Sequence, residues 1–369
     1  MASPGRIPTL DGWRAVAICA VLVSHGFLLA GSATGLARAA SYAAAQLGGL
    51  GVAVFFAISG YLITTLLLRE RAETGRIYLW GFYIRRAFRI LPPAYVYLIL
   101  LVILRKPLQR GELFSAAFFF SNYCADRSRW TQHFWSLSME EHFYLLWPVT
   151  LALLGSAGTL RVAGVGICAI ILWRPWSLAH VHLLFPALQR TDMRMDAFLF
   201  AGALAIALHS GRDGWARVLT RILTSGKFRV LGSIALVAVT AWTLAGSAPA
   251  IGTLVQSALL PPLLVSAVLW PGSAIYRLLE SASLRWIGRI SYGLYLWQQL
   301  FLVSHLKSTL AAAAAVFLPH VAATFAIATV SYYLMERRLV KYGQSLSAQL
   351  ASPPAGPLLA FAKRTSSSV

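Results

Sequence analysis

An arginine and a histidine stand eleven residues apart in LDGWRAVAICAVLVSHG, residues 10–26: Arg14 at the mouth of an apolar run and His25 deep inside it. On an ideal helix eleven residues turn through roughly 1,100°, about 20° past three full turns, so both side chains leave on nearly one face. They are separated by about 16 Å along the axis. A neutral imidazole can take a proton as a general base, and a guanidinium can hold an anion. One face carrying two chemistries at two heights suggests a site approached from one side of a membrane, because ionisable groups in lipid face the protein or a cavity. The plain alternative for His25 is a packing histidine hydrogen-bonded to a neighbouring helix.

Three further stretches carry reactive types. TQHFWSLSMEEHFYLLWP, residues 131–148, opens an apolar span with Glu140, Glu141 and His142. Successive helical residues diverge by about 100°, so the two carboxylates cannot share a face. Ser136, Glu140 and Tyr144 are spaced by four and form a polar stripe. Leu137, Glu141 and Leu145 form an apolar one, so Glu140 is the inward candidate. The competing reading, stronger for Glu141, is an acid placed near a helix N-terminus by the dipole. In FYIRRAFRILPP, residues 82–93, Arg85, Arg86 and Arg89 are either a membrane anchor or a clamp for a phosphorylated ligand, which arginine's planar fork suits. No P-loop accompanies them. In GVAVFFAISGYLITTLLL, residues 51–68, Gly51, Ser59 and Gly60 read as close helix packing. Neither glycine of a nucleophile elbow flanks Ser59.

The elements that must position these groups are membrane helices. Of 369 residues, 58 % are hydrophobic and 12 % charged, against about 25 % charged in soluble domains. About ten stretches have the length and apolarity of a span: near 15–31, 50–68, 90–104, 135–155, 160–174, 194–210, 229–247, 250–270, 288–305 and 315–334. The expected class is an all-α polytopic membrane protein. With the N-terminus inside and ten alternating spans, about 21 Lys and Arg fall inside and about ten outside. This bias orients membrane proteins, places both termini in the cytoplasm, and accounts for the net charge of +20 without nucleic acid. Arg6 and the first apolar run resemble a signal peptide weakly, but Asp11 and Arg14 interrupt the pattern. Cys19, Cys124 and Cys168 are scattered and make neither a disulfide framework nor a metal site.

In combination these segments resemble the acyltransferase-3 family. LDGWRAVAICAVLVSHG is similar to its first-helix signature, a basic residue, ten residues, then histidine. GVAVFFAISGYLI, FYIRRAFRILPPAY, FWSLSMEEHFYLLWP, RMDAFLFAGALA and IGRISYGLYLWQQ resemble its later blocks, in order. His142, Gln298 and Arg338 depart from it, standing where glutamine, histidine and proline are common. The resemblance implies a transmembrane domain over 1–345 with a flexible tail over 346–369. It implies transfer of an acyl group, usually acetyl, from cytosolic acyl-CoA to a hydroxyl of a carbohydrate or lipid-linked glycan at the bacterial inner membrane. Acyl-CoA would be a co-substrate, with no cofactor held permanently and membrane lipid as the surroundings. It further implies His25, Arg14 and Glu140 as catalytic; the mechanism expected from them has neutral His25 taking the hydroxyl proton, with Glu140 the candidate to orient it and a covalent acyl-histidine relay as the variant. Arg85, Arg86 and Arg89 would bind the donor and Arg194 the acceptor. The extracytoplasmic hydrolase-like domain fused to some members is not expected here. A sugar or lipid-linked-substrate transporter is the competing class, since intramembrane charges also mark transport pathways.

Overall fold

The structure is a computed structural model that describes residues 7–26, 35–180, 188–209, 214–244, 249–302 and 310–351. Among these residues there is no strand. The helices are α1 (Pro8–Gly26), α2 (Gly35–Thr74), α3 (Leu79–Ile103), α4 (Glu112–Ala117), α5 (Phe134–His180), α6 (Thr191–Arg194) and α7 (Asp196–His209). Then follow α8 (Gly214–Thr224), α9 (Gly226–Leu244), α10 (Pro249–Val268), α11 (Ala274–Leu279), α12 (Ala282–Trp297), α13 (Leu310–Ser331) and α14 (Arg337–Ala351).

Each of the ten expected apolar stretches falls on a helix, apart from the parts near 27–31, 210, 245–247 and 303–305 that lie outside the described residues. By length and composition, five helices among the described residues can cross a membrane, or six if Gly214–Thr224 and Gly226–Thr243, which meet at 69°, form one broken span. The protein is therefore an all-helical polytopic membrane protein. The longest helix, α5, has 47 residues. At 1.5 Å per residue it would be about 70 Å long, more than twice a hydrocarbon core of about 30 Å. It breaks at Gly155, where φ is +65°, so it supplies two legs at the point where the sequence separates two spans. Arg71 Nη1 donates to the Leu151 carbonyl at 3.4 Å, satisfying an acceptor at the end of the first leg.

The centre is built on close backbone contacts. α1 packs on α2 and α12, and α2 packs on α7. A Cβ on Gly288 of α12 would sit 1.9 Å from the Asp11 carbonyl oxygen, and one on Gly60 of α2 would sit 2.6 Å from that of Phe198. Small residues at these crossings let the helices approach, as expected for association in lipid. α1 and α12 run parallel, since Asp11 meets Gly288 near one end and His25 meets Gln298 near the other.

Two features lie at the C-terminal side. α13 passes into α14 through a π-helical turn, Tyr332–Glu336, which carries the buried Glu336. α14 packs along α3 and continues to Ala351. The boundary expected between 345 and 346 thus falls inside a helix, because Ser347 is buried against α3 and accepts a hydrogen bond from Arg85. Residues 352–369 lie outside the described residues.

Candidate active site

A cavity of about 610 Å³ opens between α1, α2, α3, α5 and α12. Its walls include Arg14, Ser59, Arg86, Arg89, Glu140 and Tyr144, with Ser136, Tyr292 and Tyr295. Arg14, Arg86, Arg89 and Tyr292 also line a wider vestibule leading into it. The vestibule carries eight cationic side chains, with Arg69, Arg85, Arg289, Arg337 and Lys341 joining the three shared arginines, against four acids, Asp11, Glu70, Glu73 and Glu336. The approach is therefore electropositive and narrows to three arginines facing one carboxylate, Glu140.

Glu140 is the inward acid, as the spacing predicts, and the stripe Ser136–Glu140–Tyr144 lies on the cavity wall. Tyr144 Oη donates to Glu140 Oε2 at 3.1 Å, and Ser59 Oγ lies 3.4 Å from Oε1. Tyr144 Oη and Ser59 Oγ are 3.1 Å apart, closing a triangle. Arg86 stacks over the Tyr144 ring at 4.9 Å and the Phe82 ring at 5.6 Å. These rings attract the guanidinium through their faces and help to place it on the cavity wall. The end-of-helix reading of the two acids fails, because α5 begins at Phe134 and has no acid in its first turn. Glu141 keeps one buried oxygen, Oε1, without a hydrogen-bond partner.

Arg14 reaches the cavity and forms an ion pair with Asp11 at 3.5 Å. His25 does not line the cavity. It lies three turns further along α1, where its Nδ1 is 3.0 Å from Gln298 Oε1. The expectation that Glu140 orients His25 is corrected by this geometry. Glu140 is satisfied within its triangle, and the partner of His25 is the residue that stands where the family often has histidine. An amide oxygen only accepts, so Nδ1 carries the proton and Nε2 keeps a free lone pair.

The three arginines of α3 divide. Arg86 and Arg89 line both cavity and vestibule, whereas Arg85 lines the vestibule alone. Arg85 donates to Ser347 Oγ at 2.7 Å and lies 3.7 Å from Glu70. Arg194 reaches neither chamber. Its guanidinium lies 6.0 Å from the Trp135 ring centroid, and its Nε is buried without a partner. Beside it, Asp196 pairs at 2.8 Å with Arg174, which is 2 % exposed and also donates to the Met193 and Ala250 carbonyls. Part of the R-x-D block thus secures a buried arginine, a contact that the sequence reading missed. His142 also serves structure, with Nδ1 2.7 Å from Thr191 Oγ1.

Other missed residues are Ser59, Tyr292, Tyr295 and Gln298. Tyr295 hydrogen-bonds Ser136 Oγ at 2.5 Å, and Tyr292 donates to the Ile90 carbonyl at 2.8 Å. Ser291, Tyr292 and Tyr295, at i, i+1 and i+4 in an apolar helix, were the available signal. Among the described residues no group of three or more His, Cys, Asp or Glu could hold a metal.

A family model described as an acyltransferase domain matches residues 7–336. The chain is 28 % identical over 370 residues to the peptidoglycan O-acetyltransferase OatA of Listeria monocytogenes, a match covering 91 % of this chain and 56 % of that protein. It is 27 % identical to the putative peptidoglycan O-acetyltransferase YrhL of Bacillus subtilis, over 79 % of this chain and 48 % of the relative. It is 29 % identical to a putative O-acetyltransferase of Staphylococcus aureus, over 79 % and 50 %. The chain spans about half the length of these curated relatives. No solved structure matches it. With the matching model running from the first helix to Glu336, the chain belongs to the acyltransferase-3 family.

Proposed function

We propose that this protein is an O-acyltransferase of the bacterial inner membrane, moving an acetyl or related acyl group from acyl-CoA to a hydroxyl of a carbohydrate or lipid-linked glycan. The observation that carries this reading is the electropositive vestibule that narrows, through Arg14, Arg86 and Arg89, into a cavity of about 610 Å³. Phosphates on the donor's head would meet arginine forks at the mouth. The uncharged arm bearing the thioester would run through the aromatic-lined cavity toward His25, which lies beyond its lining. Peptidoglycan, which two relatives' names specify, is one acceptor of this class.

His25, whose Nδ1 is held by Gln298, is the reacting imidazole of this reading, with Nε2 the nitrogen that reacts. A thioester is a good electrophile, but an alcohol is a poor nucleophile until its proton is removed. In direct transfer, Nε2 takes that proton as the alcohol oxygen attacks and the C–S bond breaks. The thiolate then recovers the proton. In a relay, Nε2 itself accepts the acyl group first, and a second base is needed for the alcohol. Both routes fail without His25. The arginines would bind the donor in either route.

The deciding experiment is transfer from radiolabelled acetyl-CoA by purified protein reconstituted with membrane glycans of the native host. Acetylated product is expected from wild type and none from His25→Gln. A transporter would modify nothing, so absence of acetylated product under conditions of proven donor binding refutes the reading.

A further inference from the structure

His133 stands immediately before α5 and is 3 % exposed, yet both its ring nitrogens are buried without a well-formed hydrogen bond. A backbone group of Leu296 lies beside its ring. Buried polar atoms are nearly always satisfied, so an exception calls for a ligand, a water or a reaction. The ring is nevertheless firmly placed. It is walled by Tyr97, Phe134 and Tyr295, with centroids at 5.3, 4.9 and 5.7 Å. Its carbonyl accepts from Ser136 Oγ at 3.1 Å and from Tyr295 Oη at 3.2 Å. The preceding segment is clasped by Glu112, which accepts from Ser128 N at 3.1 Å, Ser128 Oγ at 2.5 Å and Thr131 Oγ1. The fold fixes this imidazole through its backbone and walls and leaves its nitrogens open.

What it faces gives that arrangement a use. The segment that carries His133 is pinned to the end of α12 that meets His25: Tyr295 Oη donates to the His133 carbonyl and Gln299 Nε2 to the Arg129 carbonyl, on either side of Gln298, the partner of His25 Nδ1. Gln298, which occupies His25 Nδ1, has its own Nε2 buried and open. Tyr295 lines the cavity and touches the His133 backbone, so it joins this segment to the cavity wall. His25 therefore has one usable nitrogen. If Nε2 bonds to an acyl carbon, His25 has no lone pair left to deprotonate an alcohol. A second base beside it would remove that conflict.

We propose that His25 carries the acyl group and that His133 is the base that takes the acceptor's hydroxyl proton. This rests on the acyltransferase reading above. In the first step His25 Nε2 forms a bond to the thioester carbonyl carbon, the C–S bond breaks, and CoA leaves as thiolate. In the second, the acceptor oxygen forms its bond to that carbon while a His133 nitrogen takes the hydroxyl proton. The C–N bond breaks and its electron pair returns to His25. The proton on His133 passes to the thiolate, and both imidazoles end neutral.

The two steps separate experimentally. Exchange of radiolabelled CoA into acetyl-CoA by purified protein, with no acceptor, reads the first. Incorporation of labelled acetyl into glycan, in membranes of the native host deleted for the chain and complemented with each variant, reads both. His133→Gln is expected to keep exchange within about threefold of wild type and to lose incorporation at least a hundredfold. It should also hold acetyl label that a His25→Gln/His133→Gln double variant lacks. Near-normal incorporation by His133→Gln overturns the proposal, as does loss of both activities in monodisperse protein. If His133→Gln does not fold, His133→Phe, which suits the aromatic walls, is judged by the same pair of assays. Misfolding of both variants would make His133 a packing residue and also overturn it. Wild type that transfers without exchange sinks this proposal alone, whereas wild type that does neither sinks the acyltransferase reading.

Discussion

Replacing the three α3 arginines one at a time should split them in a way their adjacency in sequence does not suggest. Arg86 and Arg89 lie where the vestibule narrows and also line the cavity, so each is expected to contact donor phosphate. A hydrogen bond to a charged group contributes about 1.5–3 kcal/mol, and about 1.4 kcal/mol is tenfold. Arg86→Ala or Arg89→Ala should therefore raise KM for acetyl-CoA roughly 10- to 100-fold with kcat little changed, the pattern of lost ground-state binding. Arg85 is already engaged by Ser347 and Glu70, and its side chain is 37 % exposed. Exposed charge pairs contribute only about 0–1 kcal/mol, so Arg85→Ala should change KM less than about fivefold. Arg86→Lys keeps the charge but loses the planar fork that stacks on Tyr144, and should fall between. The assay is steady-state acetyl transfer by monodisperse protein, run in parallel with a short acetyl thioester lacking the nucleotide head. The short donor should be indifferent to all three substitutions. Equal losses with both donors, or an Arg85 effect as large as that of Arg89, would refute the phosphate-contact argument.

His25→Gln should leave a folded, monodisperse protein and lower kcat by on the order of 10²–10⁴, since Gln cannot accept a proton at neutral pH; turnover near wild type would discard the mechanism. Gln298→Leu should fold yet lose transfer roughly 10- to 100-fold, because the tautomer of His25 is no longer fixed. Gln298→Glu, which also accepts from Nδ1, should recover part of that activity. Gly288→Val should cost more than a typical overpacking change of about 1–3 kcal/mol, since its Cβ would meet the Asp11 carbonyl at 1.9 Å; loss of the monodisperse species on size-exclusion chromatography reads this. In a background lacking Cys19, Cys124 and Cys168, a cysteine at position 75 should label only from the cytoplasmic side, following the arginine asymmetry.

What was legible in the sequence follows from periodicity. Apolar run lengths located the helices, and the spacing of Ser136, Glu140 and Tyr144 put Glu140 on the cavity wall. The span boundary at 155–160 coincides with the break at Gly155, although the sequence did not show that both legs belong to one helix. The partner of His25 was not legible. Gln298 lies 273 residues away in sequence, and nothing in either segment specifies which helix packs beside which. Arg194 shows the same limit from the other side. Its block matches a family pattern, but Asp196 within it neutralises Arg174, whose need for a buried counter-ion appears only once α5 and α7 are packed. The division among Arg85, Arg86 and Arg89 depends on α14, whose Ser347 captures the first of them.

The π-helical turn at Tyr332–Glu336 has a consequence for how this chain can change by insertion and deletion. Such a turn is what an α-helix forms when it absorbs one surplus residue. Each added or removed residue rotates everything beyond it by about 100°. Deleting a single residue such as Tyr333 would let the helix run on as plain α from α13 into α14. Arg337 and Lys341 would then swing away from the vestibule, and Ser347 away from Arg85, although no charged residue had been altered. The phase of α14, and with it the charge of the vestibule, thus depends on chain length at one point, and a one-residue gap there would alter the site more than many substitutions on the surface.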